Sequence, residues 1–98
     1  MNETIKKIEL QTAVESFEVD GCNDAPRAAR NYVAVAAEIA AKYYPDAEIE
    51  TEIVQHAINS RSRFYIEDGS RAMDEDVLAE EIFNRIDLGD MRIWDGTQ

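Results

Sequence analysis

The sequence predicts an α+β domain, a two-layer sandwich in which two helices cover one face of a small antiparallel sheet, in the order β-α-β-β-α. Three observations point there. Segments with an apolar period of two alternate with segments whose period is helical. The two prolines and four glycines fall between those segments and punctuate them. A chain of 98 residues, free of linkers, repeats and low-complexity stretches, makes one domain over 1–98.

The first segment, Ile5 to Asp20, fits two patterns. Ile8, Leu10, Thr12 and Val14 alternate with Glu9, Gln11, Ala13 and Glu15, as a strand requires, while Leu10, Ala13, Val14 and Phe17 also share one helical face. A strand is the favoured reading, with a bulge or tight turn near Glu15-Ser16 that changes the buried face, and with Phe17-Glu18-Val19 ending at the turn Asp20-Gly21. The first helix is clearer. Asn23 or Asp24 can cap it, and Pro26 sits in its first turn, where a missing N–H costs nothing. Tyr32, Ala36, Ile39 and Tyr43 recur at helical spacing, flanked by Ala29, Val33 and Ala40, until Pro45 ends the run. Tyr43 is read as a core residue.

The period then returns to two. Glu48 to His56 reads as a strand with Ile49, Thr51 and Ile53 on one face and Glu48, Glu50 and Glu52 on the other. Arg63 to Glu67 reads as its hairpin partner across Asn59-Ser60, which sets Ile53 opposite Ile66, Gln55 opposite Phe64, Val54 opposite Tyr65 and His56 opposite Arg63. The second helix starts at a cap on Asp74, with Met73 and Leu78 as a hydrophobic staple, and Glu75 and Asp76 complement the dipole of its first turn. Leu78, Ile82 and Ile86 form its stripe, with Ala79 and Phe83 beside them, and Gly89 fits the C-terminal cap. Met91 to Trp94 would add a short edge strand or lie across the surface.

Catalytic chemistry finds no support in the residues. Cys22 lies between acids, which disfavour the thiolate, and a single cysteine allows no internal disulfide. His56 is the one histidine and has no triad context, and one Cys with one His argues against a structural zinc site. The acids around Asp20-Asn23-Asp24 lack calcium-loop spacing, and the glycines are isolated, so no phosphate cradle is present. The expectation is a non-enzyme with no cofactor and no metal. No apolar stretch approaches bilayer-spanning length and none precedes the domain as a leader, so a cytoplasmic protein is expected.

Charge is the informative feature. There are 21 acids against 10 bases, a net of −11, which argues against direct contact with nucleic acid or an anionic membrane. The excess is uneven: Glu67 to Asp90 holds nine acids and two bases. Glu48, Glu50 and Glu52 form a second set, about 6.5–7 Å apart along one strand face. Singly, such acids solvate a surface; together, with little compensation, they create a broad negative field. The expected partner is therefore a basic or nucleic-acid-binding protein complex, with carboxylate rows standing in for phosphates. The residues expected to contact it are Glu48, Glu50, Glu52, Glu67, Asp68, Asp74, Glu75, Asp76, Glu80 and Glu81. Trp94 is a candidate apolar anchor, with Tyr65, Tyr43 and Tyr44 as further aromatics. Two other readings stay open: a homodimeric accessory subunit that buries its exposed strands and the Trp94 tail, and an immunity protein or antitoxin neutralising a basic toxin.

In size, acidity and lack of catalytic motifs the chain resembles the small inhibitor proteins of phages and mobile elements, anti-CRISPR proteins among them. The resemblance is one of general character and assigns no residue. It implies a protein that blocks a host nuclease complex by occupying its nucleic-acid-binding or recruitment surface.

Overall fold

The computed structural model describes residues 4–97 and is a small α+β domain. Strands β1 (Ile5–Ala13), β2 (Glu48–Val54) and β3 (Arg63–Ile66) form one mixed sheet, and helices α1 (Ala25–Tyr43), α2 (Glu75–Phe83) and α3 (Met91–Trp94) complete the fold. The strand order is β2-β1-β3, with β1 parallel to β2 and antiparallel to β3.

This corrects the expected antiparallel sheet and its hairpin. β2 and β3 do not pair, so the predicted matches of Ile53 with Ile66 and Gln55 with Phe64 do not occur; Ile66 lies opposite Ile5 and Phe64 opposite Ile8. The physical reason lies in β1. It is the longest strand, its Ile8 and Leu10 are fully buried, and in the centre both its edges are hydrogen-bonded. A β2–β3 hairpin would have left one edge of this apolar strand bare, whereas the observed order puts the glutamate-bearing β2 at the rim, where charge guards an edge. Parallel pairing of β1 with β2 follows from the 19-residue helix between them, which supplies the crossover that parallel strands need.

Residues 5–13 are a strand and not a helix. The chain tightens into a 3-10 turn at Val14–Phe17, as a tight turn near Glu15 predicts, and the bulge lies instead between Ile5 and Lys7. No strand forms at Phe17-Glu18-Val19; Phe17 is buried within the 3-10 turn. Instead of a two-residue hairpin loop, residues 55–62 cross the end of β1 and are tied to it. The Glu15 amide donates to the Gln55 carbonyl at 3.2 Å, the Arg61 amide to Gln11 Oε1 at 3.0 Å, and the Gln11 amide to Ser62 Oγ at 3.2 Å.

α1 starts as its residues dictate: Asp24 caps it by accepting from the Arg27 amide at 3.1 Å, with Pro26 in the first turn, and it ends before Pro45. Its Val33, Ala36 and Ala40 join Ile8, Leu10 and Phe64 in the larger core cluster, where the alanines allow close approach to the sheet. Tyr43 departs from the core role expected for it. It is 53% exposed, and Arg85 stacks on its ring at 4.6 Å.

α2 is shorter than its pattern. Asp74 makes no side-chain cap bond and Met73 is 91% exposed, so the predicted cap and staple do not form; the Leu78 amide bonds the Asp74 carbonyl instead. The helix ends at Phe83, so Gly89 is not its cap. Beyond that point Ile86 packs into both core clusters, and Asp87 Oδ1 accepts from the Gly89 amide at 2.8 Å in a local turn. The tail does not form an edge strand; it is a short helix that packs against α1. α3 is capped by Asp90, which accepts from the Arg92 amide, and its Ile93 is fully buried with Val14, Phe17, Ala28 and Val35 in the second cluster.

Candidate binding surface

The in-register ladder decides which side chains share a face. Lys7, Glu9 and Gln11 of β1 lie beside Glu48, Glu50 and Glu52 of β2, while Arg63 and Tyr65 of β3 lie beside Glu9 and Lys7. Helices α1 and α2 contribute to the opposite face, where Ile8, Leu10, Ile49, Ile53 and Phe64 pack with Val33, Ala36 and Ile82. The polar face is therefore built mainly of long hydrophilic side chains and one tyrosine, with Ala13 and Val54 at one end of it.

Alternation alone puts the three β2 glutamates in one row, and all three are exposed, as the sequence predicts. Their compensation comes from the neighbouring strand. Lys7 Nζ lies 3.6 Å from Glu50, Gln11 Nε2 donates to Glu52 at 3.1 Å, and the Tyr65 hydroxyl donates to Glu9 at 2.8 Å. Sequence reasoning missed Glu9, Lys7 and Gln11 as members of this face, because membership depends on which strand lies next to β2. Their period-two spacing was visible, but the pairing was not.

The second predicted set divides. Glu75 turns inward: only 13% of its side chain is exposed, and it forks onto Arg71 while accepting from the Phe64 amide at 3.4 Å. The Arg71 guanidinium, helped by the Phe64 amide, holds the Glu75 carboxyl below its usual range against the opposing effect of burial. Asp68 closes its own turn, accepting from the Ser70 hydroxyl and amide, which lower its pKa. Glu67 reaches Lys6 at 3.9 Å. Asp74, Asp76, Glu80 and Glu81 are exposed around α2, and among the described residues none of them forms an ion pair. Val77, 54% exposed, lies between them on the same helix, with exposed Met73 one turn before it. Glu81 also pushes the Tyr44 hydroxyl up, adding to the larger effect of its partial burial.

The two acidic sets do not merge. α2 sits with β3 on the apolar side of the sheet, while the β2 row lies at the opposite edge on the polar side. Trp94 belongs to neither set. Its indole N–H donates to the Leu88 carbonyl at 2.8 Å and its ring lies 6.0 Å from that of Phe17. Together with Thr12, Ser16, Val19 and Tyr32 these residues line an open cleft of about 370 Å³. Tyr65 is the aromatic on the carboxylate face. Tyr44 packs edge-on against Phe64 at 5.9 Å, inside the fold.

Among the described residues, no three His, Cys, Asp or Glu side chains converge as a metal-ligand set. His56 is exposed and lies 3.4 Å from Glu15, whose carboxyl is lowered first by the Ala57 amide and then by His56. No helix of the described residues is long and apolar enough to cross a membrane. Comparison with known proteins returns no match: no family model, no characterised protein and no solved structure is significantly similar to this chain.

Proposed function

We propose that the chain is a non-enzymatic binding protein, a two-layer domain that occupies a positively charged surface on a protein partner. The observation that carries this reading is the unequal pairing of its acids. Among the described residues, ion pairs on the two acid-rich surfaces engage Glu50, Glu67 and Glu75, and leave Glu48, Glu52, Asp68, Asp74, Asp76, Glu80 and Glu81 without a cation. Uncompensated carboxylates in rows produce a local potential that speeds encounter with a basic groove and resists anionic ligands. A nucleic-acid-handling complex offers such a groove, and blocking it is the mode of action that the anti-CRISPR-like character implies. In that role the protein works in the cytoplasm of the cell that holds the complex.

Charge reversal tests the reading. Glu50→Lys with Glu52→Lys, and separately Glu80→Lys with Glu81→Lys, should each weaken capture of the basic partner at least tenfold at low salt, with circular dichroism unchanged. Partner recovery from host lysate should fall as salt rises, because screening shortens the reach of exposed charges. Undiminished capture by both variants would overturn it. A salt-independent dimer in light scattering, with no basic protein captured, would favour the homodimeric subunit instead.

A further inference from the structure

The two rims of the sheet are finished differently. The outer edge of β3 is closed by the chain itself. The Ile66 amide donates to the Ser70 carbonyl at 2.9 Å, the Ala72 amide donates to the Phe64 carbonyl at 2.8 Å, and Tyr65 bridges to Arg71. β2 has no such cover. It is seven residues long, it pairs on one side only, and among the described residues no segment bonds its outer backbone. Alternate residues of a strand direct their N–H and C=O groups to opposite sides, so β2 presents a row of free donors and acceptors about 23 Å long. It carries no proline and no bulge. On the helix side of the rim Thr51 is exposed and Ile49 and Ile53 are half-buried, a partly apolar shelf.

The side chains decide what can add to this edge. A second copy of the chain pairing antiparallel through β2 would set glutamate against glutamate. Centred on Glu50 it opposes Glu50 to itself and Glu48 to Glu52; centred on Thr51 it opposes Glu50 to Glu52. Like charges directly opposite one another are destabilising. A strand with lysine or arginine at every second position has the reverse relation to the row, with its cations beside Glu48, Glu50 and Glu52 and its intervening side chains over Ile49, Thr51 and Ile53.

We propose that the β2 edge binds an extended basic segment of the partner by strand addition, a segment with Lys or Arg at alternate positions and small or β-branched residues between. Backbone hydrogen bonds would supply affinity and the glutamate row register, as in other cases of β-augmentation. This inference rests on the electrostatic reading above and adds a backbone component to it.

The test uses the peptide acetyl-(Lys-Thr)4-amide and two analogues in which ester groups replace either the lysine amides or the threonine amides, deleting one set of N–H donors each. The parent peptide should bind at low salt and slow hydrogen exchange at least tenfold for alternate amides within Glu48–Val54. One ester analogue should bind at least tenfold more weakly than the other, because only one set of N–H groups faces β2. Equal binding by the two analogues, protection located outside β2, or no binding by the parent peptide would each overturn strand addition. The electrostatic reading fails separately: it falls if Glu50→Lys with Glu52→Lys, and Glu80→Lys with Glu81→Lys, leave partner capture undiminished.

Discussion

Glu9 and Glu50 stand side by side across the parallel β1–β2 ladder, and their carboxylates part company: Glu9 takes the Tyr65 hydroxyl on one side, Glu50 takes Lys7 on the other. Two like charges on adjacent strands would otherwise repel.

Among the described residues, Lys7 is consequently the cation that touches the β2 row. Lys7→Gln should leave stability within about 0.5 kcal/mol of the parent, since the pair is well exposed. Affinity for the basic partner at low salt should rise several-fold. Titration calorimetry at two salt concentrations checks this; an affinity that falls would show Lys7 contacting the partner itself.

Stability should decline in acid. The folded-state pKa values of Glu15, Asp68, Glu75 and Asp90 are all lowered, the last chiefly by Arg92. A carboxyl lowered on folding contributes stability above its unfolded value, 4.5 for Glu and 3.8 for Asp, and loses it as pH falls through the folded value. Urea midpoints should therefore drop from about pH 5 downward. Glu75→Gln should cost about 1–3 kcal/mol at pH 7 and flatten part of that decline, because Arg71 and the Phe64 amide lose their charged acceptor. An unchanged slope would remove Glu75 as a contributor.

Trp94→Phe separates a structural from an interfacial role. It deletes the indole N–H bond to Leu88 while keeping a ring beside Phe17. Thermal unfolding should register a loss of about 1 kcal/mol, with partner affinity unchanged. A large affinity loss at constant stability would identify Trp94 as an anchor.

Gly96 closes the C-terminal tail onto α1. Its φ is +75°, and a Cβ there would run into the Arg27 guanidinium, whose Nε donates to the Asp95 carbonyl at 2.9 Å. Gly96→Ala should cost about 1–2 kcal/mol from the left-handed backbone alone. Shortening Arg27 in the same chain should relieve the steric part and leave the backbone part, a difference that a double-mutant cycle in urea resolves.

Legibility in the sequence followed the range of the interaction. α1, with its Asp24 cap and its stop before Pro45, was readable because capping and proline sterics act within a few residues. The same holds for the alternation of β2, which aligns Glu48, Glu50 and Glu52 whatever lies beside them. Tyr43 misled because helical spacing leaves the exact stripe open: the buried line runs Val33, Ala36, Ala40 and Tyr44, and Tyr43 falls beside it. α2 ends at Phe83, and Ile86, on its predicted stripe, packs into both clusters from beyond the helix.

The sequence by itself determined an acidic α+β chain with a strand row of three glutamates and a carboxylate-rich second helix, since composition and period are local properties. Tertiary structure alone decided that β1 lies between β2 and β3, because burying Ile8 and Leu10 and bonding both edges of that strand are gains made between segments far apart in the chain. That choice placed Lys7, Glu9 and Gln11 beside the row, turned Glu75 inward to Arg71, and left β2 as the uncovered edge.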